Sequence, residues 1–142
     1  MAIVNVIPKE VKKERIDAFV AEEWRACLLT SGFSYVSDGS FVTYADLLAD
    51  GNEVLNAAGT GYTAGGALVA GKVMAYVGTT NAQLDATNVQ WTNASLNSVR
   101  FVAVYETTGG LIRAIYDFGA DKTVTTGTFT VEWNASGLLK IS

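Results

Sequence analysis

The sequence predicts a mainly β protein, an antiparallel β-sandwich or barrel with an N-terminal helix and one short additional helix. Three observations carry this expectation. From Ala67 onward, β-branched and aromatic residues alternate between clusters of turn-forming residues, the pattern of short strands joined by tight connections. Charge crowds instead into Lys9–Arg25, which holds five cationic and five anionic side chains and reads as a helix with a solvated face. Finally, 142 residues with 49% hydrophobic and 17% charged side chains suffice for one core and are too apolar for disorder. A single domain over residues 1–142 is expected.

Taking the elements in order, Pro8 suits a first helical turn, where its missing N–H has no intrahelical bond to lose. Val11, Ile16, Phe19 and Val20 follow at roughly helical spacing, which predicts a helix from Lys9 to Glu22 or Glu23. Trp24–Thr30 reads either as a continuation of that helix to the stop signal Ser31-Gly32 or as a first strand. A second, short helix is predicted over Tyr44–Ala49. Thr43 supplies its N-cap, Asp46 the reciprocal partner three positions on, and Gly51 its stop. Strands are then expected at Leu68–Val77, Thr87–Trp91, Val99–Glu106, Leu111–Phe118, Thr128–Trp133 and Leu138–Ile141. The echo of Thr80–Leu84 in Thr92–Leu96 is too brief to be a structural repeat.

One hairpin can be registered. Thr107-Thr108-Gly109-Gly110 supplies the turn, so Glu106 faces Leu111, and Tyr105 with Ile112, Ala103 with Ala114, Phe101 with Tyr116 and Val99 with Phe118 line the core. The opposite face then pairs Val104 with Arg113, Val102 with Ile115 and Arg100 with Asp117, an apolar strip bounded by charge. In Thr128–Trp133, Phe129, Val131 and Trp133 are expected to face inward. Leu68–Val77 leaves no polar face except Lys72, so both its sides require cover from the helix, a second sheet or another subunit.

Composition excludes much chemistry. The formal charge is −4, the wrong sign for a nucleic-acid partner. Histidine is absent, which removes the commonest general base and nitrogen ligand. Cys27 stands alone and reads as a small buried hydrophobe, with no disulfide. No metal site, no cofactor and no catalytic residues are expected. The N-terminus lacks the apolar length of a signal peptide or membrane span, so no membrane partner is expected and synthesis in a reducing cytoplasm is. The sequons at Asn93 and Asn134 read as turn chemistry.

Gly66–Lys72 satisfies Gly-x4-Gly-Lys, but Val73 stands where a phosphate loop needs a hydroxyl, and Lys72–Val77 alternates like a strand. Asp117, Asp121 and Glu132 lie near strand ends, where a carboxylate pair would serve a glycosidase; Asp121-Lys122 reads more simply as a polar turn and Glu132 as an outward strand position. Trp24, Trp91 and Trp133 belong to an aromatic set that could stack on sugars, although alternation turns Trp91 and Trp133 inward. Tyr62, within the Gly-rich connection Gly59–Gly66, is the better exposed candidate.

Several segments occur in a suggestive order: Leu28-Leu29-Thr30-Ser31, Asn52-Glu53-Val54, Gly59-Thr60-Gly61-Tyr62-Thr63-Ala64-Gly65-Gly66, Asp117-Phe118-Gly119-Ala120-Asp121-Lys122, and Gly127–Asn134 followed by Gly137-Leu138-Leu139. Together they span most of the chain and resemble a family of small virion structural proteins of tailed bacteriophages. The chain departs from that family by a longer charged N-terminal helix and a short turn at Gly109-Gly110. The resemblance implies a strand before Leu28-Leu29-Thr30-Ser31, ending the first helix near Glu23. It further implies a noncatalytic, homo-oligomeric virion component, assembled in the host cytoplasm in many copies as a capsid decoration or cement protein. Its partners would be the major capsid protein or other virion proteins. Position at the neck, collar or tail is the alternative, and a carbohydrate-binding β-sandwich module a third. Candidate interface residues are Val102, Val104, Leu111 and Ile115, with Leu68, Met74 and Tyr76 on the two-sided strand, Tyr62, and the arm Met1–Ile7. For each, packing within the chain is the competing explanation.

Overall fold

The computed structural model describes residues 7–35, 40–54, 60–135 and 137–141. In chain order its elements are α1 (Lys9–Ala21), β1 (Trp24–Thr30), α2 (Tyr44–Asp50), β2 (Ala67–Leu68), β3 (Val73–Val77), β4 (Asn81–Asp85), β5 (Val89–Glu106), β6 (Ile112–Val131) and β7 (Leu139–Ile141). The fold is mainly β, with two antiparallel sheets, an N-terminal helix and one short further helix, as predicted. The chain gathers into two compact units. One comprises Met1–Glu22, Ala70–Thr87 and Trp133–Ser142, the other Glu23–Val69 and Asn88–Glu132.

The first unit contains α1 and the sheet β3-β4-β7. Val11 N–H and Lys12 N–H donate to the Pro8 carbonyl and open the helix. Its inward side is narrow: Lys12 and Ile16 are buried, while Val11 is exposed. Lys12 is accommodated because its ammonium donates to Thr80 O at 2.7 Å, which offsets the cost of taking a charge out of water. Thr80 lies in the turn between β3 and β4, whose register runs unbroken from Val73↔Asp85 to Val77↔Asn81. Ala82, Leu84 and Leu138 supply further buried apolar surface.

The second unit holds the sheet β2-β1-β5-β6. Trp24–Thr30 is a strand, and the helix stops before it. Along β1, Trp24, Ala26 and Leu28 share one face, and Cys27 and Leu29 belong to the other; all five are fully buried. Cys27, Leu29, Ala103 and Tyr105 join Phe33 and Leu47 in one apolar cluster, with Phe41, Tyr44, Phe101, Ile112 and Ile115 packed against it. The second helix has the predicted capping box: Thr43 Oγ1 accepts from Asp46 N–H, and Asp46 Oδ2 accepts from Thr43 N–H at 2.8 Å. Gly51 ends it in the left-handed region, φ 77°.

Several expectations are corrected. Leu68–Val77 is not one strand. It breaks at Gly71, φ 66°, and β2 and β3 join different sheets. β4 was not anticipated. Thr87–Trp91 and Val99–Glu106 merge into β5, while Leu111–Phe118 and most of Thr128–Trp133 merge into β6, which therefore contains Asp121-Lys122 as strand instead of turn. Trp133 lies beyond the end of β6 and is half-buried, its Nε1–H donating to Thr87 O. Within the merged strands the chain bulges where Asn93 was read as a turn residue: Asn93, Ser98, Thr126 and Gly119 all have positive φ within β5 and β6, among breaks in register.

The hairpin register holds only at its tip. Glu106 N–H donates to Leu111 O, and Tyr105 pairs with Ile112. The Glu106 carboxylate accepts from the Thr108, Gly109 and Leu111 N–H groups; these donors, Leu111 first, hold its carboxyl below the usual range. The register then shifts between Val104 and Tyr105, so that Val104 pairs with Ala114, Ala103 with Ile115, Val102 with Tyr116 and Phe101 with Asp117. An extra residue at Arg113-Ala114 keeps Ile112 and Ile115 together on the apolar cluster, which strict alternation forbids. Both isoleucines pack half-buried against that cluster.

Candidate functional site

Glu53 organises the polar heart of the second unit. It is placed by backbone pairing: Thr30 N–H donates to Asn52 O, Val54 N–H donates to Leu28 O, and Glu53 bridges Leu29. The outer edge of β1 is thus occupied by β2 at Arg25 and Ala26, and by residues 52–54 farther along. One carboxylate oxygen of Glu53 accepts from Tyr62 Oη at 2.6 Å and from Gly65 N–H at 2.7 Å; the other accepts from Tyr44 Oη at 2.6 Å. Tyr62 Oη also accepts from Leu28 N–H at 3.0 Å. Gly65 O accepts from Tyr105 Oη at 2.7 Å, and Gly66 O from Arg25 Nη2 at 2.6 Å.

This network ties the Gly-rich connection to the sheet. Tyr62, expected on the surface, is only 2% exposed and packs against Trp91 at 5.8 Å between ring centroids. The Tyr44 and Tyr105 rings stack at 4.4 Å. Burial, and then the adjacent Glu53 carboxylate, push the Tyr44 and Tyr62 hydroxyls far up and the Cys27 thiol up to about 12. At neutral pH these groups are protonated donors and an inert thiol. No buried polar side-chain atom lacks a hydrogen-bond partner among the described residues, so the network is closed on itself.

A groove of about 790 Å³ opens elsewhere in this unit, lined in part by Phe33, Tyr35, Phe41, Phe101, Leu111, Ile112 and Ile115. Phe33 meets Phe41 and Phe101 edge-on at 5.2 and 5.3 Å. Arg113 and Asp117 also reach it. Asp117 is engaged by Arg100 Nε at 2.5 Å and by Gly119 N–H, which, Arg100 first, hold its carboxyl low. Asp121 approaches the same guanidinium at 4.0 Å. Arg100 is therefore clasped by two of the three acids weighed as a carboxylate pair, and the third, Glu132, is exposed beyond the end of β6. Lys72 of the Gly-x4-Gly-Lys segment leads into a strand, not a helix.

The sequence-predicted interface residues scatter. Val102 and Val104 are fully buried, so the strip they define is internal surface. Ile115 and Met74 are half-buried. Leu68, Tyr76 and Leu111 are exposed by 49%, 39% and 40%. Ile7 is exposed, and the rest of the N-terminal arm lies outside the described residues. Val42, beside Leu111 at the groove, and Val73 on β3 are exposed apolar residues that the sequence did not single out; each was hidden by its element, a cap for Val42 and an apparently continuous strand for Val73.

Among the described residues no group of three or more His, Cys, Asp or Glu side chains is arranged to hold a metal ion, and no helix is long and apolar enough to cross a membrane. No family model matches the chain, and no curated protein or solved structure matches it significantly.

Proposed function

We propose that this chain is a structural component of a tailed-phage virion, a noncatalytic cement protein that binds neighbouring shell subunits in many copies. The observation that carries the reading is the distribution of exposed apolar side chains over both units: Leu68, Val42 and Leu111 in one, Val73 and Tyr76 in the other. A protein that bridges subunits requires more than one contact surface, each backed by a stiff scaffold, and the closed Glu53 network supplies such a scaffold behind one of them. Modest contacts of about 800 Å² per partner become durable when several engage together, because each later contact forms at high effective concentration. The carbohydrate-binding alternative loses its best residue, since Tyr62 is buried and bonded on both sides of its hydroxyl.

The test is reconstitution. Purified protein added to preformed phage shells is expected to bind saturably, in copies commensurate with the shell lattice, and to raise the temperature at which shells burst. Saturation at about a dozen copies would move the protein to the neck or tail. Shells that bind none of it and burst at the same temperature would refute the virion role.

A further inference from the structure

Among the described residues four strands stand at sheet edges: β2 and β6 in one sheet, β3 and β7 in the other. An open edge is a template for pairing with another chain unless something blunts it. Three of the four are blunted. β2 has two residues, and β7 has three including Lys140. β6 is long, but its register breaks repeatedly and Asp121 and Lys122 lie within it. β3 has no such device: Val73-Met74-Ala75-Tyr76-Val77 carries no charge, proline, glycine or bulge, and among the described residues only β4 pairs with it. Val73 is 54% exposed.

We infer that β3 is a self-association edge, on which β3 of a second copy of this chain docks antiparallel about a two-fold axis through Ala75. Full overlap of the five residues sets Ala75 against itself, Val73 against Val77 and Met74 against Tyr76, and joins two three-stranded sheets into one of six. The helix dictates a second copy as the occupant. α1 packs over β3 and β4, and Glu10 accepts from Tyr76 Oη at 2.9 Å while Lys9 Nζ lies 4.6 Å from the centre of the Tyr76 ring. Two groups of opposite charge thus stand beside Tyr76, one residue from the axis, so a second copy carries the same Lys9 and Glu10 across the seam and offers each charge a partner of opposite sign. This pairing holds whether or not the chain belongs to a virion.

Sedimentation of the full chain over about a hundredfold range of concentration is expected to convert a 15.0 kDa species into one of twice that mass. Val73→Lys, at an exposed position, is expected to raise the dissociation constant at least about tenfold by placing a charge in the seam, with the circular dichroism unchanged. Ala75→Cys provides a second reading that tolerates weak affinity: its two copies lie within reach of a disulfide, formed when diamide takes two electrons from the paired thiols. Buried Cys27 does not compete. A chain that stays at 15.0 kDa, forms trimers, dimerises equally well with Val73→Lys, or carries Ala75→Cys without cross-linking in the presence of diamide overturns the proposal.

Discussion

Two glycines of the second unit share nearly the same backbone but differ in what surrounds them, and this makes a matched pair. Gly51 has φ 77° and nothing within 4 Å of the position a Cβ would take. Gly66 has φ 76°, and its Cβ would collide with the Ala26 carbonyl and lie 2.8 Å from Cys27 Cα, both backbone of a buried strand. Alanine at either position bears the left-handed strain, about 1–2 kcal/mol. Gly66→Ala must also push the segment away from β1. That sacrifices the Arg25 bond to Gly66 O and the Tyr105 bond to Gly65 O, about 1 kcal/mol for the neutral bond and about 1.5–3 kcal/mol for the charged one. The expected costs are therefore about 1–2 kcal/mol for Gly51→Ala and about 3.5–6 kcal/mol for Gly66→Ala. Urea unfolding followed by near-ultraviolet circular dichroism, which senses the buried aromatic rings, measures both. Equal costs would refute the idea that the Gly-rich segment is clamped to the sheet.

Tyr62→Phe keeps the ring against Trp91 but leaves Leu28 N–H without its acceptor and Glu53 without one donor; a loss of about 1–3 kcal/mol is expected in the same assay, and an unchanged midpoint would remove Tyr62 from the network. Alkaline pH should also unfold the protein. Burial raises Cys27, Tyr105 and Tyr116 to about 12, whereas in the unfolded chain a thiol releases its proton near 9 and a tyrosine near 10. Between those values the folded state binds more protons, so the stability these groups contribute is complete below about pH 9 and declines toward pH 12. Denaturant midpoints taken across that range test the sign, and a flat profile would contradict the burial. A thiol reagent at about pH 8 should modify Cys27 only as the protein unfolds.

Features decided within three or four residues were legible in the sequence. The capping box of Thr43 and Asp46, the stop at Gly51, the start of α1 at Pro8 and the tip of the hairpin all depend on neighbours close in the chain. The Glu53 network was not. Its tyrosines stand nine residues to either side, in stretches without periodicity, and Gly65 meets Tyr105 across forty residues. The resemblance picked out Asn52-Glu53-Val54 and the Gly-rich run as separate segments. The carboxylate that joins them was visible only as one acid among fourteen.

The bulges show a different kind of blindness. Asn93 was recognisable as a turn residue, and the structure places it, with Ser98, Thr126 and Gly119, at positive φ. A turn and a bulge ask the same backbone of such a residue, however, and differ only in whether the chain on either side finds the same partner strand. That information is nonlocal. At Arg113 a local trace did exist: Ile112 and Ile115 are three apart, a spacing that strict alternation assigns to opposite faces, yet both belong to the apolar cluster. Two bulky apolar residues at that interval in a strand with one committed core face are sufficient reason to insert an extra residue into the register. The same irregularity that defeats simple alternation in β6 spoils its free edge as a template, whereas the unbroken register of β3 leaves its own edge fit for pairing.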